Sequence, residues 1–291
     1  MNQKGFTLSE LMVVIAVIMI LSGAVFIRIN EARHRAKIAN GLNFSKQISA
    51  KAGIGVMGAW SFDSNEGSIF YDFSGRGNDC DGSLGSVNGS DLVEGVVGQG
   101  LDLNTGSDSG EYLRCGVSPD FSSLEPIEAV TIEAWVKTDD QTGNRFIATK
   151  WYGYSLESYR SGGVNAPNGR FCVFVERDGS ATPNEKTQCI QFNTGHFNNQ
   201  WHHMVGTYNS DTRKLEVYLD GKKDNERILA SGWGSYLIEN STANYLTIGM
   251  YASNYFSGVI DEVKGFKVAL SETEIRKHYV QGLLSGKYVS D

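Results

Sequence analysis

The 291-residue sequence predicts an α+β chain, one long N-terminal helix leading into an all-β antiparallel sandwich. Two contrasts within the chain carry this prediction. Residues 11–27 are apolar except for Ser22 and Gly23, whereas beyond Ala59 short β-rich runs alternate with clusters of Gly, Asn, Asp and Ser. Net charge divides at the same place, with +5 over residues 1–52 and −12 over the remainder. An acidic globular part disfavours nucleic acid, whose phosphates attract a basic face, so no nucleic-acid partner is expected.

The N-terminal element comes first. At ~1.5 Å per residue, residues 11–27 reach ~26 Å, roughly enough to cross a hydrocarbon core. An ordinary secretory signal is cleaved after its apolar run. Here the candidate site, Gly5-Phe6, precedes the run, so cleavage would remove residues 1–5 and keep the helix. Glu10 is costly beside so apolar a stretch. A new amino terminus on Phe6 would lie four residues before it, and in a bundle of such helices one chain's Glu10 could pair with a neighbour's ammonium. Removing one partner of a buried pair costs roughly 3–5 kcal/mol, enough to fix register.

The string Gly5-Phe6-Thr7-Leu8-Ser9-Glu10-Leu11-Met12-Val13-Val14-Ile15 resembles the processing and assembly motif of bacterial type IV prepilins and type II secretion pseudopilins. That resemblance implies cleavage by a prepilin peptidase, N-methylation of Phe6, an inner-membrane precursor and assembly with identical or related pilins into a filament. Many family members carry a Pro near Ile27; with Gly23 in its place as the loosening residue, the continuity of the helix stays open. Lys4 alone precedes the span, while Arg28, Arg33, Arg35 and Lys37 follow it. A positive-inside count would put the C-terminal side in the cytoplasm, but the resemblance and the cysteines imply the outside. Ile38, Leu42, Phe44, Ile48 and Ala52 continue at helical spacing, so the helix is expected over 6–52, with a Gly-rich hinge at 53–58.

The second element is the sandwich. Residues 130–136, 215–219, 245–249 and 259–266 read as strands, and Asp220-Gly221 as a turn. No Cys-x-x-Cys pair occurs among Cys80, Cys115, Cys172 and Cys189, which argues against a metal knuckle. In an exported domain four cysteines read as two disulfides. The runs 171–175 and 188–192 flank a polar stretch with Asp178-Gly179 and Pro183, a hairpin pattern that can set Cys172 opposite Cys189 and leave Cys80 for Cys115. Free thiols are the alternative.

Several runs match one family in order. Ala59-Trp60-Ser61-Phe62-Asp63 with Asp72-Phe73-Ser74-Gly75-Arg76-Gly77-Asn78, then residues 95–103, 201–208 and 260–263, resemble laminin-G-like, concanavalin A-like lectin/glucanase jelly rolls. The resemblance spans residues 59–282 and implies a jelly-roll sandwich with glycan or protein ligands, followed by a tail at 283–291. Asp63, Asp72, Asn78 and Asp261 match family positions, which implies a structural Ca2+; the competing reading is that they build Asx turns. Trp151, Tyr152, Trp233 and Tyr236 lie in turn-rich sequence and are the candidate ligand-stacking residues. Packing of loops onto the sandwich is the competing role.

Catalysis is not expected. Asp261 and Glu262 are strand neighbours that should point to opposite faces, and Glu176-Arg177-Asp178 lacks the third carboxylate of the glucanase signature. His202-His203 reads as packing. The resemblances thus imply a type IV pilus-like filament subunit displaying a lectin-like head on the cell surface. The alternatives are a minor or tip subunit that binds a glycan or surface protein, and a secretion pseudopilin.

Mass spectrometry of the assembled protein should find a chain beginning at methylated Phe6, and Glu10→Ala should insert normally while filament yield falls sharply. Intact Met1 in filaments, or wild-type yield from the variant, would overturn this reading.

Overall fold

The computed structural model describes residues 8, 11–15, 19, 55–103, 110–116, 124–140, 143–150, 152–159, 169–176, 186–195, 198–232, 236–238 and 245–287. Residues 8, 11–15 and 19 are helical. Gly5, Phe6, Glu10 and most of the expected assembly helix lie outside the described residues, among which no helix is long and apolar enough to cross a membrane.

Two antiparallel sheets pack face to face. Sheet A contains eight strands in the order β15 (Lys222–Ile228), β14 (Lys214–Leu219), β13 (Trp201–Asn209), β8 (Ala129–Lys137), β19 (Val259–Phe266), β6 (Gln99–Asp102) and β5 (Leu92–Glu94), with β1 (Val56–Trp60) also paired to β19. Sheet B contains nine, in the order β12 (Thr187–Gln191), β11 (Arg170–Phe174), β10 (Tyr154–Tyr159), β9 (Asn144–Lys150), β16 (Leu246–Ile248), β7 (Leu113–Cys115), β4 (Cys80–Asp81), β3 (Ile69–Phe70) and β2 (Asn65–Glu66). A small hairpin, β17 (Met250–Tyr251) and β18 (Asn254–Tyr255), follows β16.

Alternation explains the layering. In β8, Val130, Ile132, Ala134 and Val136 enter the core between the sheets. Thr131, Glu133 and Trp135 face the other way and are also buried, because the C-terminal helix (Glu272–Lys287) covers that face. The two sheets approach closely where β13 meets β11: a Cβ on Gly206 would lie 2.2 Å from the Phe171 ring, so only glycine fits there. The Asp220-Gly221 turn has φ of 51° and 72°, the doubly left-handed geometry of a tight hairpin.

The sandwich is longer at both ends than the sequence suggests. Val56, Met57 and Gly58 were expected in a hinge, yet they begin β1 and pair with the end of β19. Met57 is fully buried in the core, which is why the stretch is strand. At the other end the helix runs past residue 282 to Lys287. Ser271 and Glu274 form its N-terminal lock, the Glu274 carboxylate accepting the Ser271 amide at 2.8 Å and the Ser271 hydroxyl accepting the Glu274 amide at 3.4 Å. Ile275, His278 and Gly282 then share the face laid on sheet A, where a Cβ on Gly282 would meet the Trp135 ring at 2.8 Å.

Both disulfides form, and both join residues directly opposite in register, Cys172 with Cys189 across β11–β12 and Cys80 with Cys115 across β4–β7. The sequence separations of 17 and 35 predict chain-entropy contributions of about 3 and about 4 kcal/mol. Denaturant unfolding of the two Cys→Ala double variants should register losses of that order. Unchanged stability after reduction would show that neither bridge constrains the unfolded chain.

Candidate functional site

The outer face of sheet B carries an open groove. In β10, Tyr154 and Leu156 enter the core, so Ser155 and Glu157 point outward; in β11, Phe171 and Val173 enter it, leaving Arg170, Cys172 and Phe174 outside. A bulge in β9 sends Ile147 and Ala148 both inward and brings Phe146 opposite Glu157. The resulting cavity of ≈110 Å³ is lined by these outward residues with Thr149, Tyr152, Thr187 and Tyr251.

Its walls are aromatic and its floor is polar. Phe146 packs on Tyr251 with ring centroids 4.9 Å apart, and Tyr152 meets Phe174 edge-on at 5.6 Å. Between the two pairs, Glu157 accepts hydrogen bonds from Arg170 Nε and from the Ser155 hydroxyl, each at 2.5 Å. Burial raises the Glu157 carboxyl above its ordinary range, against the pull of Arg170. The Thr149 hydroxyl is buried and has no hydrogen-bond partner among the described residues, which leaves one polar group open at the floor.

Of the four residues expected to stack on a ligand, Tyr152 lines this groove. Tyr236 does not: it packs against the core, its hydroxyl donates to the Ala230 carbonyl at 2.9 Å, and Arg213 lies over its ring. Its role is therefore to hold a loop. Trp151 and Trp233 lie outside the described residues. Sequence reading missed Phe146, Glu157, Arg170 and Tyr251. The alternation in residues 154–158 and 170–174 could have exposed Glu157 and Arg170, whereas Phe146 depends on the bulge and Tyr251 on a hairpin fold-back.

The four residues expected to hold calcium separate into two pairs. Asp72 is filled by protein donors: Oδ1 accepts the amides of Ala59 at 2.9 Å and Ser74 at 2.8 Å, and Oδ2 accepts the Ser74 hydroxyl at 2.8 Å and the Asn78 amide at 3.0 Å. Asn78 in turn donates to the Met57 carbonyl at 2.7 Å. This pair is an Asx-type clamp on β1. Among the described residues no group of three or more His, Cys, Asp and Glu is arranged to hold a metal.

Asp63 and Asp261 instead belong to a buried seam in sheet A. There β19 changes partner along one edge, from β6 at Val259 and Ile260 to β1 from Val263 onward. A bulge with Glu262 at φ 49° fills the junction and breaks the alternation expected for Asp261 and Glu262, so both are buried side by side. Asp261 accepts the Val97 amide at 3.0 Å and Asp63 the Gln99 amide at 2.9 Å, tying the β5–β6 turn to the seam. Glu262 is ion-paired with Lys264. Beneath the helix, His278 Nδ1 lies 2.9 Å from Glu133, and His203 Nε2 lies 3.7 Å from it. Burial opposes ionisation of Glu133, but His278 and then His203 and Lys264 hold its carboxyl down to about 2. Burial pushes Asp63 up to about 7, with Glu262 adding to the rise and the Gln99 amide and the charge of Lys264 opposing it. Burial and the adjacent Glu262 raise Asp261 well above the usual range.

Comparison with known proteins agrees with this architecture. A family model described as the concanavalin A-like lectin/glucanases superfamily matches residues 109–276, and one described as the prokaryotic N-terminal methylation motif matches residues 1–26. No curated protein matches the chain. Similar solved structures include the binding domain of Paraclostridial mosquitocidal protein 1, with 14% identity, a TM-score of 0.55 and coverage of 77% of this chain and 52% of that one. The binding domain of botulinum neurotoxin DC in complex with SialylT gives 13%, 0.56, 79% and 52%. The botulinum neurotoxin serotype D ligand binding domain in complex with N-acetylneuraminic acid gives 14%, 0.54, 77% and 50%. This chain spans about half the length of each, and at such identities the likeness is one of fold.

Asp63 generates a pH prediction. Its folded pKa lies above its unfolded value, so the stability it permits is complete below about pH 4 and is lost as pH rises through about 7. In chelator-treated protein, Asp63→Asn should flatten that fall by roughly 1–3 kcal/mol in unfolding measurements across pH 4–8. An unchanged slope would place the Asp63 titration elsewhere. The chain belongs to the concanavalin A-like lectin/glucanases superfamily, its sandwich joined to a prokaryotic N-terminal methylation motif of the type IV pilin-like class.

Proposed function

We propose that this chain is a type IV pilus-like filament subunit, assembled through its N-terminal helix, whose head holds a glycan outside the cell in the outer groove of sheet B. The groove carries the reading: two aromatic pairs flank a floor of Ser155, Glu157, Arg170 and a Thr149 hydroxyl that has no partner among the described residues. Apolar ring faces of a sugar suit the walls, and its hydroxyls suit the floor. A cavity of ≈110 Å³ is well under the ~300–1,000 Å³ of a drug-sized pocket, so it accommodates about one sugar residue and leaves the rest of a chain outside.

The sugar is held and not cut in this reading. Glycoside hydrolysis uses two carboxyls, and Glu157 is the one carboxyl among the lining residues, already engaged by Arg170 and Ser155. Calcium enters the proposal only at the seam, where Asp63 Oδ2 and Glu262 Oε1 lack hydrogen-bond partners among the described residues. A cation there would stabilise the head from outside the groove.

The test is a glycan array probed with the detergent-solubilised full-length chain, with and without calcium. Wild-type protein should bind a restricted glycan set, and Tyr251→Ala or Arg170→Ala should weaken binding about tenfold or more. The Tm of Tyr251→Ala should stay within a few degrees of wild type, whereas Arg170→Ala should also lower Tm by stranding Glu157. Absence of any bound glycan would sink the lectin reading and leave a structural subunit. A Tm that ignores both calcium and chelator would remove the cation.

A further inference from the structure

A second feature of the same face is not used by the groove. One row of register-matched residues crosses the outer surface of sheet B: Cys172, Ser155, Thr149, Thr247, Arg114 and Asp81. Thr149 lies in the groove. Arg114 stands two strands further along the row, about 10 Å away at ordinary strand spacing.

Arg114 sits in an aromatic cradle. Its Cζ lies 4.6 Å from the centre of the Tyr245 ring and 5.6 Å from that of Tyr112, and Tyr112 packs on Tyr255 with centroids 6.3 Å apart. The β17–β18 hairpin joins the two regions, because Tyr251 on β17 closes the groove while Tyr255 on β18 supports the cradle. Arg114 Nε is buried and has no hydrogen-bond partner among the described residues. Asp81, opposite it in register, is the neighbouring acid: its Oδ1 accepts the Ser83 amide at 2.8 Å and the Ser68 hydroxyl at 3.3 Å, and Arg114 acts on it by charge without a hydrogen bond to Nε.

A guanidinium gains little from desolvation without a hydrogen-bond partner. The tyrosine faces fix its plane while supplying no acceptor for Nε, and a planar fork of donors fixed in this way matches a carboxylate. We propose that Arg114, cradled by Tyr112 and Tyr245, is a carboxylate subsite, and that the ligand of this face is an acidic glycan bearing a sugar acid beside the residue held in the groove. The glycan part of this inference rests on the proposed function; the carboxylate site itself rests on Arg114.

The experiment separates those two parts. In the 15N-labelled full-length chain in detergent, the Nε–H resonance absent from Arg114→Gln identifies Arg114. Sodium glucuronate should shift that resonance saturably, glucose should leave it in place, and sodium sulfate at matched ionic strength should move it only weakly. An oligosaccharide ending in a uronic acid should bind wild-type protein about tenfold or more tightly than its carboxyl-reduced form. Arg114→Gln should erase the difference, Arg114→Lys should retain part of it, and Tyr251→Ala should weaken both forms alike.

An unmoved Arg114 resonance, with both oligosaccharides bound equally, overturns the carboxylate subsite while the groove stands. A glucuronate shift with neither oligosaccharide bound keeps the subsite and overturns the groove. An equal response to sulfate overturns the sugar-acid assignment.

Discussion

The fold depends on the junction in β19, where one strand edge serves first β6 and then β1. Pairing the beginning of the sandwich with its end leaves a gap between two partners, and backbone amides at a gap need acceptors. The bulge at Glu262 and the carboxylates of Asp63 and Asp261 meet that need by binding the amides of Gln99 and Val97. The cost is a concentration of carboxyl groups beneath the surface, offset by Lys264 beside Glu262 and by the His278 contact with Glu133. Removing any one partner strands another, so these residues act as a unit.

That seam also divides the two faces of the sandwich. Sheet A is sealed on its outer side: the C-terminal helix buries Ile275 against Val56, Val205, Tyr218 and Phe266, and stacks Tyr279 on Trp135. Among the described residues no helix lies over β9, β10 and β11 of sheet B. The β17–β18 hairpin shapes their outward side by supplying Tyr251 to the groove and Tyr255 to the Tyr112 ring. The Cys172–Cys189 bridge stiffens the outer edge of this sheet and also lines the groove with Cys172. These strands carry the core on one side and the proposed ligand face on the other.

The arrangement suits a head carried on a filament. An acidic, disulfide-bonded sandwich tolerates the oxidising space outside a membrane. The methylation motif at residues 1–26 and the groove residues between Phe146 and Tyr251 belong to separate segments of the sequence, so the proposed assembly and binding roles do not compete for the same residues. Contact along the sheet-B face is consistent with a ligand longer than one sugar, because the row from Ser155 to Arg114 crosses four strands.

The sequence by itself determined the N-terminal motif and the sandwich class of the head. Its N-terminal string identified the methylation motif, alternation placed β8, β14, β16 and β19, and the hairpin pattern around Cys172 and Cys189 found both bridges. These are local signals, carried by residues within a few positions of one another. Partners distant in sequence decided the rest. Alternation separated Asp261 from Glu262, but the bulge, required by the change of partner strand, reunited them. Family positions grouped Asp63, Asp72, Asn78 and Asp261, yet the fold gave Asp72 and Asn78 to a turn beside β1 and the other two to the seam. The groove was likewise settled only in three dimensions. Phe146, Glu157 and Arg170 come from three strands brought together by register, and the fold-back of β17–β18 adds Tyr251.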